Sequence, residues 1–559
     1  FYSYSVLKEL PENQWFSIIS LLNGTKPRAR KPLSRDPHQK RAVRDCVYGL
    51  REHDRLQYIS ACGTGKTLSS LWIAEKYKPK TVLYLVPSLA LLQQTLSEWI
   101  NHSDATFPFL SVCSDKKTIV AAEDVISLSQ SDLPFKVTTE PKKILNWFGA
   151  TNCFDFRVVF ATYDSAKKVS AGSPAGFSFD LAFFDEAHKT AGRVGKKFTY
   201  ALLDENLACE KRIFMTATPK IIKLHNEIAD ELSSVSMDNL NIYGPVKHKL
   251  SFSEATKQGI IVPFKILISQ VDATEIEEEK RRISVTEVED EMLLTEHVSH
   301  QVALKHLQEH SKCKKILTFH RKVKDAELFV EHGPLGIEQH LPAFKSFSVK
   351  GALNTEVRKN ILKEFSESDF GIVSNAKCLT EGVDVPEIDL VYFSHPKKSA
   401  IDIAQAVGRA IRKPRVQSSK RCGYVAIPLF LERNRDESLE AAVARTDFTN
   451  IAEVINSLRG HDDELAEIIT DLRVAKGRGR GGNYSPLESR IEFVTGEIKL
   501  DALKDFILAE IVDQLTPSWD EWFGRLINYL ELHGRAPSIE GRTTRLNAGQ
   551  TLGDWCGQQ

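Results

Sequence analysis

Residues 60–67 run Ser-Ala-Cys-Gly-Thr-Gly-Lys-Thr, between an apolar stretch, Leu56–Ile59, and a helix-like run from Leu68 to Lys76. These residue types suit an anion. Gly63 and Gly65, with Thr64 between them, let backbone amides turn toward a phosphate. Lys66 can set a cation on β and γ phosphates. Thr67 can offer a hydroxyl to Mg²⁺ while opening a helix whose N-terminal dipole favours negative charge. The fuller pattern has glycine where this chain has Ser60, so the cradle needs a second motif to carry it. That motif is present. Leu181–Phe184 runs straight into Asp185-Glu186-Ala187-His188. Asp185, at the end of a strand, can hold the water shell of Mg²⁺, and Glu186 can orient and polarise an attacking water. Together the two strings describe ATP hydrolysis. His188 has no other metal-type residues clustered with it in sequence and is not expected to be a ligand.

With both strings in place, the chain resembles superfamily 2 helicases and translocases, and further segments follow in that family's order. Arg35-Asp36-Pro37-His38-Gln39 is similar to the segment that binds the base, and the Gln39 amide has the donor and acceptor an adenine edge requires. Ser88 in Val86-Pro87-Ser88, and Thr162-Tyr163, resemble nucleic-acid contact motifs. Thr216-Ala217-Thr218-Pro219 resembles the motif that couples nucleotide state to domain closure. In a second α/β stretch, His320-Arg321 stands where a strand end meets a nucleic-acid backbone in the family. Thr380-Glu381-Gly382-Val383-Asp384 resembles the motif that touches ribose through Gly382 and Asp384 and nucleic acid through Thr380. Gln405, Arg409 and Arg412 resemble the arginine-finger motif, and on a continuous helix their spacing puts all three on one face. The resemblance implies ATP and Mg²⁺ as cofactors, with ATP held between two RecA-like domains.

A finer resemblance rests on Ala61–Thr67, Leu85–Trp99, Ser111–Asp115, Asp185–Gly192 and Met215–Lys220, which are similar to the motor of type I single-polypeptide restriction enzymes. Trp519, Arg525-Leu526, Tyr529, His533-Gly534, Pro537, Leu552-Gly553 and Trp555 resemble a helicase-associated domain, with Arg525 and Arg535 as phosphate contacts or, alternatively, the face as a protein contact. These likenesses imply a DNA translocase or helicase acting in bacterial anti-phage defence or replicon maintenance. Its setting would be the cytoplasm, on the nucleoid when active. An ATP-switched nucleic-acid sensor and an RNA helicase are the alternatives. Duplex DNA is the expected partner, with a nuclease domain or partner upstream. No membrane association is expected.

Such chemistry needs scaffolding. The expected fold is α/β: two tandem RecA-like parallel-sheet domains, then helical segments and a small C-terminal helical bundle. Short apolar runs at 56–60, 81–86, 158–161, 181–184 and 212–215, separated by helical stretches, predict the first sheet over 33–245. Runs at 316–319, 347–349, 371–374, 390–393 and 424–427 predict the second over 311–435. Residues 1–32 read as a lead-in whose basic run, 26–31, is a linker. Residues 246–310, with acidic blocks at 275–279 and 287–291, read as a connector with helices and one or two strands. Residues 436–516 read as helical with a Gly/Arg linker at 476–482, and 517–559 as the helicase-associated domain, incomplete as it stands.

The bulk numbers agree with this class. The chain has 559 residues, too many for one core, and 74 basic residues balance 74 acidic ones, so any nucleic-acid surface must be local. Nine scattered cysteines without a C-x-x-C pair argue against zinc ribbons and a disulfide framework. The chain starts at Phe1 and its first methionine is Met215, which suggests a start inside a longer protein.

Overall fold

The computed structural model describes residues 34–559 except 105–106, 114–136, 194–196, 222–233, 284–290, 334, 351–352, 354, 376–387, 396–399, 414–419, 432–436, 439–440, 443–445, 447, 480–482, 495–503, 515–518, 536, 538–551, 553–554 and 557–559. The chain divides into two compact units close to Leu250 and Ser251.

The first unit contains β1 (Arg55–Ser60), β2 (Thr81–Val86), β3 (Phe109–Val112), β4 (Val137–Thr138), β5 (Arg157–Thr162), β6 (Phe179–Asp185), β7 (Gly192–Arg193), β8 (Cys209–Thr216), β9 (Ser234–Val235) and β10 (Val246–Leu250). Eight of these form one sheet in the order β10-β1-β8-β6-β2-β5-β3-β4, and every pairing in it is parallel. β7 and β9 make a small antiparallel pair. Both faces of the large sheet are covered. Along β2, Val82, Tyr84 and Val86 enter one core with Trp72, Leu96 and Trp99. Leu83 and Leu85 enter the other with Ile144, Phe148 and Phe184. Each such aliphatic side chain contributes roughly 1.5–3 kcal/mol on burial. Burial on both faces is why these strands are uninterrupted apolar runs in the sequence.

The second unit contains β11 (Phe264–Asp272), β12 (Lys315–Phe319), β13 (Lys345–Ser348), β14 (Gly371–Asn375), β15 (Leu390–Phe393), β16 (Gly423–Leu431) and β17 (Ile491–Val494). They form a sheet in the order β13-β14-β12-β15-β16-β11-β17, again all parallel. Helix Glu291–Ser311 buries Val298, Val302, Leu304 and Leu307 against this sheet.

The expected connector over 246–310 holds two strands, one for each sheet. β10 completes the first sheet beside β1, whereas β11 lies between β16 and β17 in the second. The acidic stretch 275–279 belongs to helix Ala273–Ile283, which packs against β11 and helix Glu291–Ser311. The expected helical region 436–516 likewise gives a strand, β17, to the second sheet, where Glu492 pairs with Lys265 and His310. The lead-in 1–32 and its basic run lie outside the described residues, as do 480–482 of the Gly/Arg stretch.

At the C-terminal end, helix Trp519–His533 crosses helix Asp463–Gly477 at glycines. A Cβ on Gly524 would come within 2.3 Å of the Val474 carbonyl oxygen, and one on Gly477 within 2.2 Å of that of Glu521. Trp522 stacks on Trp555, with centroids 6.0 Å apart.

Candidate nucleotide site

The sheet order places the chemistry of the first unit. β8 lies between β1 and β6, with Ile59 opposite Thr216 and Met215 opposite Asp185. The cradle after β1, the Thr-Ala-Thr segment closing β8 and the acidic pair closing β6 therefore emerge side by side at one edge. The carboxyl edge of a parallel sheet is where open α/β folds bind ligands.

Gly63 and Gly65 both take left-handed conformations, with φ of 82° and 79°. Helix Lys66–Tyr77 starts immediately after, so its free amides face the loop. The loop is tied from several sides. Thr64 Oγ1 donates to the Ala61 carbonyl at 2.8 Å and lies 2.7 Å from Ser60 Oγ. His38 Nε2 is 3.0 Å from the Thr64 carbonyl, and the Gln39 amide nitrogen reaches the same oxygen at 3.5 Å. Lys66 Nζ donates to the Ser60 carbonyl at 3.0 Å. Ser60 thus serves where glycine is usual, because its hydroxyl stitches the loop internally.

Gln39 is buried, and its carbonyl oxygen accepts from the Asp36 amide at 3.0 Å. Arg35 lies over Trp72 at 5.2 Å and 3.5 Å from Glu75. A Cβ on Gly65 would sit 2.5 Å from the Gln39 amide nitrogen. Gly65→Ala is therefore expected to cost about 1–2 kcal/mol for the left-handed backbone alone, and to displace Gln39. Chemical denaturation and nucleotide titration of the variant check both effects. An unchanged unfolding midpoint would count against the described loop.

Asp185 is buried, and burial beside the Glu186 charge pushes its carboxyl up to about 7, against the pull of the Lys66 cation. Its Oδ2 accepts from the Tyr84 hydroxyl at a long 3.4 Å, and its Oδ1 from the Glu186 amide at 3.0 Å. A carboxylate so placed is short of positive charge. With Thr67 on the first turn of the helix, this donor set fits a hydrated Mg²⁺. Glu186 is one of three non-glycine residues with positive φ among the described residues, at 49°.

Beyond it, His188 Nδ1 lies 2.9 Å from Thr216 Oγ1, 3.2 Å from Thr218 Oγ1 and 3.4 Å from Glu186 Oε2. Burial lowers the His188 pKa to about 4, so the ring is neutral at pH 7. Thr216 Oγ1 also accepts from the Thr218 amide at 3.0 Å. The acidic motif and the Thr216-Ala217-Thr218 segment are thereby one hydrogen-bonded network.

Other expected residues fall differently. Ser88 caps helix Leu89–His102, accepting from the Leu91 amide at 3.4 Å. Tyr163, expected at nucleic acid, is buried in the core and donates its hydroxyl to the Asp185 backbone carbonyl at 2.7 Å. It supports the acid motif instead. Thr162 is also buried, bonding Ser165 Oγ at 3.0 Å.

In the second unit, His320 is buried against Phe329 with its Nε2 3.0 Å from Thr318 Oγ1, so it has no surface for a phosphate, whereas Arg321 is exposed. Burial drops the His320 pKa to about 3, which leaves the ring uncharged. Thr380, Gly382 and Asp384 lie outside the described residues. Gln405 and Arg409 are buried residues of helix Ala400–Ala410. Arg412 is not on that helix but in the turn after it. Lys413-Pro414 follows, and a residue before proline is disfavoured in helical conformation. The single face expected for 405, 409 and 412 therefore holds for the first two. Arg525 is committed within its own helix, 2.6 Å from Glu521 and over the Trp522 ring, and Arg535 is exposed.

Comparison with known proteins separates the two units in the same way. Residues 33–221 match the family model "Type III restriction enzyme, res subunit". Residues 299–414 match "Helicase conserved C-terminal domain". The chain thus carries the two paired domains of a superfamily 2 helicase.

Among solved structures, this helicase is similar to the type ISP restriction-modification enzyme LlaBIII bound to DNA, with a TM-score of 0.71 and 24% identity over 95% of this chain and 38% of that one. A nuclease-deletion mutant of the type ISP enzyme LlaGI with a DNA substrate mimic gives 0.57 and 25%, over 89% of this chain and 34% of that one. The RecA-like helicase fold of both units follows. Among curated proteins, the probable helicase A859L of African swine fever virus is 28% identical in one isolate and 26% in another, each over 513 residues, 90% of this chain and 52% of theirs. The chain spans about half the length of these relatives, which are viral where the sequence resemblance suggested a bacterial setting. Among the described residues no helix is long and apolar enough to cross a membrane.

Sequence reasoning missed His38, Tyr84 and the supporting role of Tyr163. His38 had a local signal, since it precedes Gln39. The other two had none, because their partner Asp185 lies 101 and 22 residues away.

Proposed function

We propose that this superfamily 2 helicase is an ATP-driven motor that moves on duplex DNA. The observation that carries the reading is the shared edge of β1, β8 and β6, where the cradle stands beside an acidic pair and a threonine segment that hydrogen bonds through His188 join. Lys66 and the amides of the loop bind phosphates. Thr67 and Asp185 hold Mg²⁺, which supplies charge neutralisation on the phosphoryl oxygens. Glu186 takes a proton from the attacking water. His188 carries the state of Glu186 to Thr216 and Thr218. Arg409 adds positive charge to the transition state. DNA as the track is supported by LlaBIII and LlaGI, whose structures hold DNA or a DNA mimic. A restriction-type role in anti-phage defence or replicon maintenance is consistent with those relatives.

The test is the ATPase rate of the purified chain without nucleic acid and with single-stranded DNA, duplex DNA or RNA, beside Lys66→Ala. Duplex DNA is expected to stimulate turnover several-fold and to support triplex displacement, and Lys66→Ala to abolish both. Stimulation by RNA alone would make it an RNA helicase. Stimulation by duplex without displacement would make it an ATP-switched sensor.

A further inference from the structure

Helix Glu291–Ser311 and the residues after β15 bring Glu296, His300 and His395 together, all in the second unit. One ligand atom from each lies within 4.8 Å of the other two, the one such group of histidine, cysteine or acidic side chains among the described residues. Glu296 and His300 are one helical turn apart, so both project from one face. His395 Nε2 is 2.7 Å from Glu296 Oε1. An ordinary hydrogen-bonded pair would account for those two residues, but it leaves His300 unexplained. His300 is buried, its Nδ1 lies 2.9 Å from the Tyr392 hydroxyl, and its Nε2 is buried with no hydrogen-bond partner. Buried ring nitrogens nearly always have partners, so this one calls for a ligand.

We propose that Glu296, His300 and His395 bind a divalent transition metal of the zinc class. Two imidazoles and one carboxylate suit such an ion. Mg²⁺ and Ca²⁺ prefer all-oxygen shells, and softer ions prefer thiolates. The surrounding groups set the tautomers. The Tyr392 hydroxyl can accept the Nδ1 proton of His300, which would leave the Nε2 lone pair for the metal. Ser394 Oγ lies 3.3 Å from His395 Nδ1 and can accept its proton when Nε2 binds the metal. The Phe430 ring, 5.3 Å from that of His300, shields one side. An occupied site would tie His395, just after β15, to helix Glu291–Ser311. The inference stands whether or not the chain moves on DNA.

The experiment uses the full chain, stripped with a chelator, dialysed and titrated with Zn²⁺ by calorimetry, with Co²⁺ as a spectroscopic probe. Wild type is expected to take up one equivalent that raises its melting temperature, and the Co²⁺ adduct to show visible d–d bands without thiolate charge transfer. Glu296→Gln and His395→Gln, at the two more exposed positions, should fold normally and lose that equivalent. Tyr392→Phe should keep the stoichiometry and weaken binding about 10–100-fold. No uptake by wild type, undiminished uptake by Glu296→Gln and His395→Gln, or thiolate charge transfer in the Co²⁺ spectrum would each overturn the site.

Discussion

Replacing Glu186 with glutamine is expected to slow ATP turnover by about 10²–10⁴-fold, the usual worth of a positioned general base, while nucleotide binding survives. On the proposed reading, phosphate contacts come from Lys66 and the loop amides, which the substitution does not touch. Glutamine keeps the shape of Glu186 and can still face His188, 3.4 Å away in the native protein, but it cannot take a proton. The backbone supports the assignment. Glu186 holds φ 49° and ψ 47° without being glycine, a conformation that is costly for L-residues and persists where the surroundings impose it. Here the Glu186 amide donates to Asp185 Oδ1 and its carbonyl accepts from the Lys189 amide at 3.0 Å. Lys66→Ala is the contrasting control, expected to lose binding and turnover together. Single-turnover hydrolysis beside nucleotide titration separates the two. A Glu186→Gln chain that hydrolyses at the native rate would remove Glu186 from the chemistry and turn attention to water held by Asp185.

What the sequence disclosed follows from how local each signal is. The strands from β2, β6 and β12 read clearly because both faces are buried and their apolar runs are unbroken. β10 and β17 did not. At the sheet edges they are short and only partly buried, and a five-residue strand such as Val246–Leu250, carrying two lysines, has no apolar run to notice. β11 is apolar and central, yet its acidic neighbours drew the whole stretch into a connector. The cradle and the acidic pair were legible because their chemistry sits within a few consecutive residues. Tyr163 and His320 were misplaced because motif order assigns a position to a contact without saying which way the side chain points. In both cases the chain turns inward at the strand end, and the ring packs in the core. Arg412 was misplaced by treating a helix as continuous up to a proline.

Arg409→Ala is expected to reduce the rate at saturating ATP by about 10³–10⁵-fold, the range of an arginine that stabilises phosphoryl-transfer charge, with ATP affinity nearly intact. The asymmetry is the point. Negative charge on the transferring oxygens grows in the transition state, so a group aimed there adds little to ground-state binding. Arg409 sits in the last turn of helix Ala400–Ala410 and is buried. Truncation could also disturb packing, so circular dichroism and a melting temperature must accompany the kinetics. Arg409→Lys then distinguishes charge from shape. Lysine keeps the cation but lacks the planar fork, and should recover only part of the rate. Arg412, in the turn beyond the helix, is expected to matter less than Arg409, whereas a shared helical face would make the two alike. If Arg409→Ala weakened ATP binding and left the saturated rate unchanged, the residue would be a ground-state clamp. The transition-state charge would then have to come from Lys66 and the metal.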